Sequence, residues 1–191
     1  EEVSRLRQLL AAQGRAEEAY EPAVGNPIAQ IPESFEDLIN RFKEFRFLEF
    51  VGQRNPAIAL DDHPGIQSAI PKAWNTLRTL NDYCRLKDQG DFIGGLLNYV
   101  ENSAHGGFVQ GPAIKPNESE TVLSNRRLRE LREIPVPPEV DPSGIVVTKM
   151  HVALQTSQSN YPRLYFFDAS GTNGKVYIGY LGEHLENTRT N

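Results

Sequence analysis

Five side chains in the last third of the chain have the types and spacing for phosphodiester chemistry: Lys149, His151, Arg163, Tyr165 and His184. Cationic groups hold a phosphodiester and stabilise the charge that builds in its transition state, while an imidazole or a phenol moves a proton. No metal and no cofactor is required in such a scheme. Lys149 and His151 are two apart in an alternating run, Ile145–Leu154, and Arg163 and Tyr165 are two apart in the next run. Alternation in a strand sends residues i and i+2 to one face. Val146, Thr148, Met150, Val152 and Leu154 form the better core face, which leaves Lys149 and His151 opposite, with Ile145, Val147 and Ala153. Leu164 and Phe166 make the matching apolar face of the second run, against Arg163, Tyr165 and Phe167. Packing both apolar faces on one core gathers Lys149, His151, Arg163 and Tyr165 on one surface, although an ordinary solvent face carries similar residues. His184 follows the last strand directly, in Gly182-Glu183-His184-Leu185, where functional loops commonly sit. It either joins His151 as an acid–base pair or caps backbone groups.

Other stretches carry weaker chemical signals. Ser124–Arg132 reads as a short basic helix capped by Ser124, with Arg126, Arg129 and Arg132 at i, i+3 spacing. Arginine forks match phosphate oxygens, and Arg126 and Arg129 would extend the basic track; Glu130 and Glu133 equally suit a surface salt-bridge lattice. Glu118 and Glu120, two apart, would share one face of a strand as acid–base groups, or are plain surface. Asp61-Asp62-His63 has donors for a divalent metal, but the favoured reading is a carboxylate capping the next helix beside an exposed imidazole.

The elements that must position these groups follow from periodicity. Val3, Leu6, Leu9 and Leu10 give a helix over Glu1–Tyr20, either the end of a coiled coil that assembles a homo-oligomer or a single amphipathic helix. Residues 21–32, with Pro22, Gly25, Pro27 and Pro32, form a linker. Ser34 caps a second helix whose core stripe is Phe35, Leu38, Ile39, Phe42 and Phe45. Alternation then gives a short strand at Arg46–Val51, closed by Gly52. A third helix covers Ile66–Lys87, with Pro71 in its first turn and Trp74 as a core anchor. A fourth starts at Asp91 and is weakened by Gly94-Gly95. A short strand fits Phe108–Gln110. Pro135, Pro137 and Pro138 hold Ile134–Asp141 extended before the C-terminal sheet. In that sheet Lys175–Leu181 places Val176, Ile178 and Tyr180 opposite Tyr177, Gly179 and Leu181, behind a hairpin at Ala169–Gly174.

The totals agree with one domain of a soluble globular protein: 191 residues, 39% hydrophobic and 24% charged. No apolar run approaches the roughly 20 residues of a membrane span, and the charged start does not read as a signal peptide. The absence of an initiator Met suggests a processed chain or a fragment. A lone Cys84 excludes a disulfide framework and suits a reducing, cytoplasmic compartment. A net charge of −5 argues against a globally basic nucleic-acid binder but leaves room for a local patch.

Two resemblances add to this. Helices followed by a meander ending in RLYFFD…GKVYIGYLGEH look like the arrangement of RelE/ParE-type toxins, over about Ile145–Leu185. That resemblance implies metal-independent ribonuclease chemistry, with Lys149, Arg163 and Tyr165 as the matching residues; the long helical N-terminal part and the acidic balance depart from it. More broadly, AWNTLRTLNDYCR, ESETV, NRRLRELREIPVP, SGIVVTKMH, PRLYFFD and VYIGYLGEHLENTRTN resemble an uncharacterised domain found at the C-terminus of larger bacterial proteins, over about Phe45–Asn191. It implies a preceding domain and no activity.

The expected architecture is α+β, a helical layer from Ser34 to Ser103 on an antiparallel sheet of Ile145–Leu181, in a single domain over 33–191 with a separable N-terminal helix. The expected function is an effector acting on RNA or another phosphodiester: Lys149, Arg163, Arg126 and Arg129 bind phosphate, and His151, His184 and Tyr165 are catalytic. The alternative is a non-catalytic interaction or ligand-sensing module, with RNA or a nucleotide as the ligand.

Overall fold

The computed structural model of the chain describes residues 27–101, 114–155 and 161–187. The helix expected at 1–20, most of the linker and the strand expected at Phe108–Gln110 lie outside them. Residues 31–191 form one unit of α+β architecture. Its helices are α1 (Phe35–Asn40), α2 (Asn55–Ile58), α3 (Ala69–Gln89), α4 (Leu96–Glu101), α5 (Glu120–Ser124) and α6 (Arg126–Glu130). Its strands are β1 (Leu48–Phe50), β2 (Ile114–Lys115), β3 (Glu133–Pro135), β4 (Ile145–Val147), β5 (Met150–Ala153), β6 (Arg163–Ala169) and β7 (Lys175–Gly182). No helix among the described residues is long and apolar enough to cross a membrane.

The helical layer forms where its spacing places it. Ser34 accepts a hydrogen bond from the Asp37 amide at 2.9 Å and caps α1. Pro71 falls in the first turn of α3, and Gly90 ends that helix in the left-handed conformation at φ 78°. The stripe Ala73, Trp74, Leu77, Leu80 and Cys84 is fully buried, each large apolar side chain contributing about 1.5–3 kcal/mol. Trp74 packs 4.7 Å from the Phe45 ring, and the Arg41 guanidinium lies over the Trp74 ring at 4.6 Å. The fourth helix begins at Leu96 rather than Asp91, because Gly94 takes φ 158°, outside the helical region.

The sheet differs from an antiparallel meander in three ways. Its order is β1-β7-β6-β5-β2, and β1 runs parallel to β7 (Leu48 opposite Val176), so it is mixed. The expected single strand Ile145–Leu154 is broken: β4 pairs with β3 in a separate two-stranded sheet, while β5 joins the main one. The break is held by Thr148, whose amide and hydroxyl both donate to the Arg132 carbonyl, at 2.8 and 2.9 Å. Finally, register slips where Tyr165 faces Tyr180 but Phe166 faces Ile178, leaving Gly179 as the extra residue of a bulge. Tyr180, expected beside Val176 and Ile178, therefore lies 6.1 Å from the Tyr165 ring. A small second core of Ile134, Val136, Val146, Ala169 and Tyr177 fills the space between the two sheets.

Candidate functional site

A row of side chains crosses three strands. Lys115 on β2 is opposite His151 on β5, which is opposite Tyr165 on β6. Cross-strand partners on one face sit within contact range, and here the His151 and Tyr165 rings stack at 4.8 Å with 27° between their planes. The segment Asn117–Val122, leading into α5, and the segment holding His184 and Asn187 enclose this row in a cleft of about 460 Å³.

Tyr165 forms the buried floor. Its phenol lies against Glu118 and Arg132, and burial, reinforced by the Glu118 charge, pushes it well above the usual tyrosine range. Beneath the cleft Arg132 is almost wholly buried. Its Nη1 donates to the Leu128 carbonyl at 2.8 Å and its Nη2 to the Glu186 carbonyl at 3.3 Å, and its Nε is 3.3 Å from Glu118 Oε1. That contact is an ion pair without hydrogen-bond geometry, and Glu118 Oε1 is also 3.5 Å from His151 Nδ1.

Both imidazoles are oriented by carbonyls. His151 Nδ1 is 3.2 Å from the Lys149 carbonyl, and His184 Nδ1 is 2.5 Å from the Leu185 carbonyl. A carbonyl only accepts, so Nδ1 carries the proton in each and Nε2 is the basic atom of the neutral ring. Burial, with the charges of Arg163 and His184, holds His151 below the ordinary histidine value, against the opposing pull of the Lys149 carbonyl and Glu118. His151 is thus neutral near pH 7 and able to accept a proton.

Of the residues expected to act together, the cleft gathers His151, Tyr165 and His184. Arg163 is one step along, opposite Ala153, with its guanidinium 5.4 Å over the Tyr161 ring; it reaches the site through its charge. Lys149 is exposed and lines a neighbouring pocket instead, the expected strand being broken at Thr148. Arg126 and Arg129 do not reach the cleft. The basic helix is split at Asn125, which caps α6 in place of Ser124, and the two arginines pair outward with Glu130 and Glu133 at 2.7 and 3.3 Å. The salt-bridge lattice is what forms there. Asp61 caps α1, not the helix after it: its two oxygens accept the Phe35 and Glu36 amides at 2.7 and 2.9 Å. His63 pairs with Glu183 at 3.0 Å. Among the described residues no three His, Cys, Asp or Glu side chains converge as a metal site would.

Sequence reasoning missed Lys115, because a two-residue strand leaves no readable alternation, and the i, i+3 spacing that grouped Arg132 with Arg126 and Arg129 gave no sign that Arg132 is buried. Glu118 was visible as a carboxylate, but its partner was not. No family model, curated protein or solved structure matches the chain.

Proposed function

We propose that this cleft cleaves a phosphodiester of RNA by acid–base chemistry in which no metal takes a step. The observation that carries the reading is the meeting of two carbonyl-oriented imidazoles, His151 and His184, with Lys115 at one cleft. His151 Nε2 takes the proton of a ribose 2′-hydroxyl, whose oxygen attacks phosphorus. The Lys115 ammonium stabilises the charge growing on the non-bridging oxygens. His184, as imidazolium, gives its proton to the departing 5′-oxygen. The P–O5′ bond breaks as the P–O2′ bond forms, leaving a 2′,3′-cyclic phosphate and a 5′-hydroxyl, with one proton taken and one given. Tyr165 supports the His151 ring from below, and Glu118, held by Arg132, steadies its Nδ1 side. This keeps the ribonuclease character suggested by the RelE/ParE-type resemblance but moves the phosphate contact from Lys149 and Arg163 to Lys115.

The test is incubation of purified protein with RNA in EDTA, with end-group analysis of the products. Cyclic phosphate ends that vanish in His151→Ala and His184→Ala, both still folded by circular dichroism, support the reading. Intact RNA at high protein concentration overturns it. The rival, a ligand-sensing module of a larger bacterial protein assembling through residues 1–20, draws on the buried Arg132–Glu118 ion pair under the cleft, which suits binding without turnover. It is supported if nucleotides bind and are not cut. Cys84 is buried with its thiol pushed up to about 12 by desolvation, so it takes no part in either reading, and the cytoplasmic setting rests on the chain having a single cysteine.

A further inference from the structure

We infer that the substrate is a polymer held across two subsites, the second being a pocket that receives the base of the nucleotide beyond the two that flank the scissile bond. This rests on the phosphodiester reading of the cleft. The pocket, about 220 Å³, opens where β4 departs from β5 and leaves the end of β6 uncovered. It is smaller than the roughly 300 Å³ at which whole-ligand pockets begin, a size for one ring system and not for a nucleotide. Its apolar walls come from Pro116, Val147, Met150 and the half-buried Phe167, and Asn117 and the Asp168 carboxylate, which already accepts from the Tyr83 hydroxyl and the Ser170 amide, supply a polar edge. A base has that character, with an apolar face and hydrogen-bonding rim, and aromatic stacking tolerates any sequence.

Two residues join the pocket to the cleft. Asn117 lines both. Lys149 gives its carbonyl to His151 Nδ1 and also lines the second pocket. Its ammonium is exposed and forms no ion pair among the described residues, so it stands ready for a further phosphate on the same strand. The cation expected at the catalytic cleft is thus displaced by the break at Thr148 to where the next nucleotide runs.

The experiment compares a dinucleotide with a longer oligoribonucleotide. Wild-type protein should cut the longer substrate with the higher kcat/KM. Lys149→Ala should raise KM for the oligomer more than for the dinucleotide and lower the salt slope of oligomer binding by about one, the signature of one lost phosphate contact. Equal cutting of both lengths, or equal effects of Lys149→Ala on both, overturns the second subsite while leaving cleavage intact. If neither RNA is cut, the catalytic reading fails, and fluorescence anisotropy with a 2′-O-methyl oligomer decides the subsite separately. Binding that Lys149→Ala weakens with the reduced slope sustains it, and no binding, or binding indifferent to Lys149, ends it.

Discussion

Arg132 and Glu118 meet where almost no solvent reaches: Nε and Oε1 are 3.3 Å apart, and the side chains are 0% and 9% exposed. The pair sits under the cleft and fixes the carboxylate beside His151. Taking two charges out of water is costly, so such a pair contributes little net stability, yet removing one partner strands the other. Arg132→Met should destabilise the fold by about 3–5 kcal/mol. The double variant Arg132→Met with Glu118→Leu should recover much of that loss. Urea unfolding at constant slope measures both. Equal loss in single and double variants would show that the guanidinium's bonds to the Leu128 and Glu186 carbonyls matter more than its charge partner.

His151 gives the protein a pH dependence of known sign. Its folded pKa is held below the ordinary 6.5, mainly by burial, with Arg163 and His184 adding to the effect. The unfolded chain therefore binds more protons as pH falls below that value. Stability associated with the neutral ring is present above about pH 6.5 and lost as pH drops toward the depressed folded value. Chemical denaturation across that window should show a decline that His151→Gln reduces. On the catalytic reading, the acid limb of the rate profile should also lie below the ordinary histidine range. A decline on the alkaline side, or none that responds to His151, contradicts this assignment.

Much of the fold was legible from local pattern. Ser34, Pro71 and the Trp74 stripe are local signals, and they sit where capping and periodicity place them. The alternation at Arg46–Val51 gives a real strand, but not that it would pair in parallel with a segment more than a hundred residues away. Nothing in Ile145–Leu154 marks a break, because the break comes from the distant Arg132 carbonyl bonding Thr148. The site was half-legible for the same reason. Period two puts His151 and Lys149 on one face of their run and Tyr165 and Arg163 on one face of theirs, whereas the His151–Tyr165 register, Lys115 and the Arg132–Glu118 pair are tertiary facts.

Gly179 is the point at which the small sheet approaches the large one. A Cβ there would sit 2.3 Å from Ile134 Cγ2 and 3.1 Å from Thr148 Cγ2, both on buried residues. Ile134 belongs to the second core and cannot yield without opening it. Gly179→Ala should cost about 1–3 kcal/mol by overpacking. Pairing it with Ile134→Val, which shortens the side chain but keeps the nearest methyl, should not restore stability, whereas Ile134→Ala should restore part of it. Thermal melts of the set read this directly, and a neutral Gly179→Ala would mean that the bulge shifts to accommodate the methyl.

Asp61 decides between a cap and a metal ligand. Its carboxylate accepts two amides at the start of α1, from Phe35 and Glu36, while Ser34 takes the Asp37 amide. First-turn amides have no partner inside a helix, and an anion there also meets the positive end of the dipole. Asp61→Ala should therefore cost about 1–2 kcal/mol, the range of a lost cap, and Asp61→Asn somewhat less because one acceptor survives. Both oxygens being engaged, Mg²⁺ or Ca²⁺ should leave the melting temperature of the native protein unchanged. A cation-dependent rise that disappears in Asp61→Asn would reverse the assignment and make Asp61-Asp62-His63 a metal site after all.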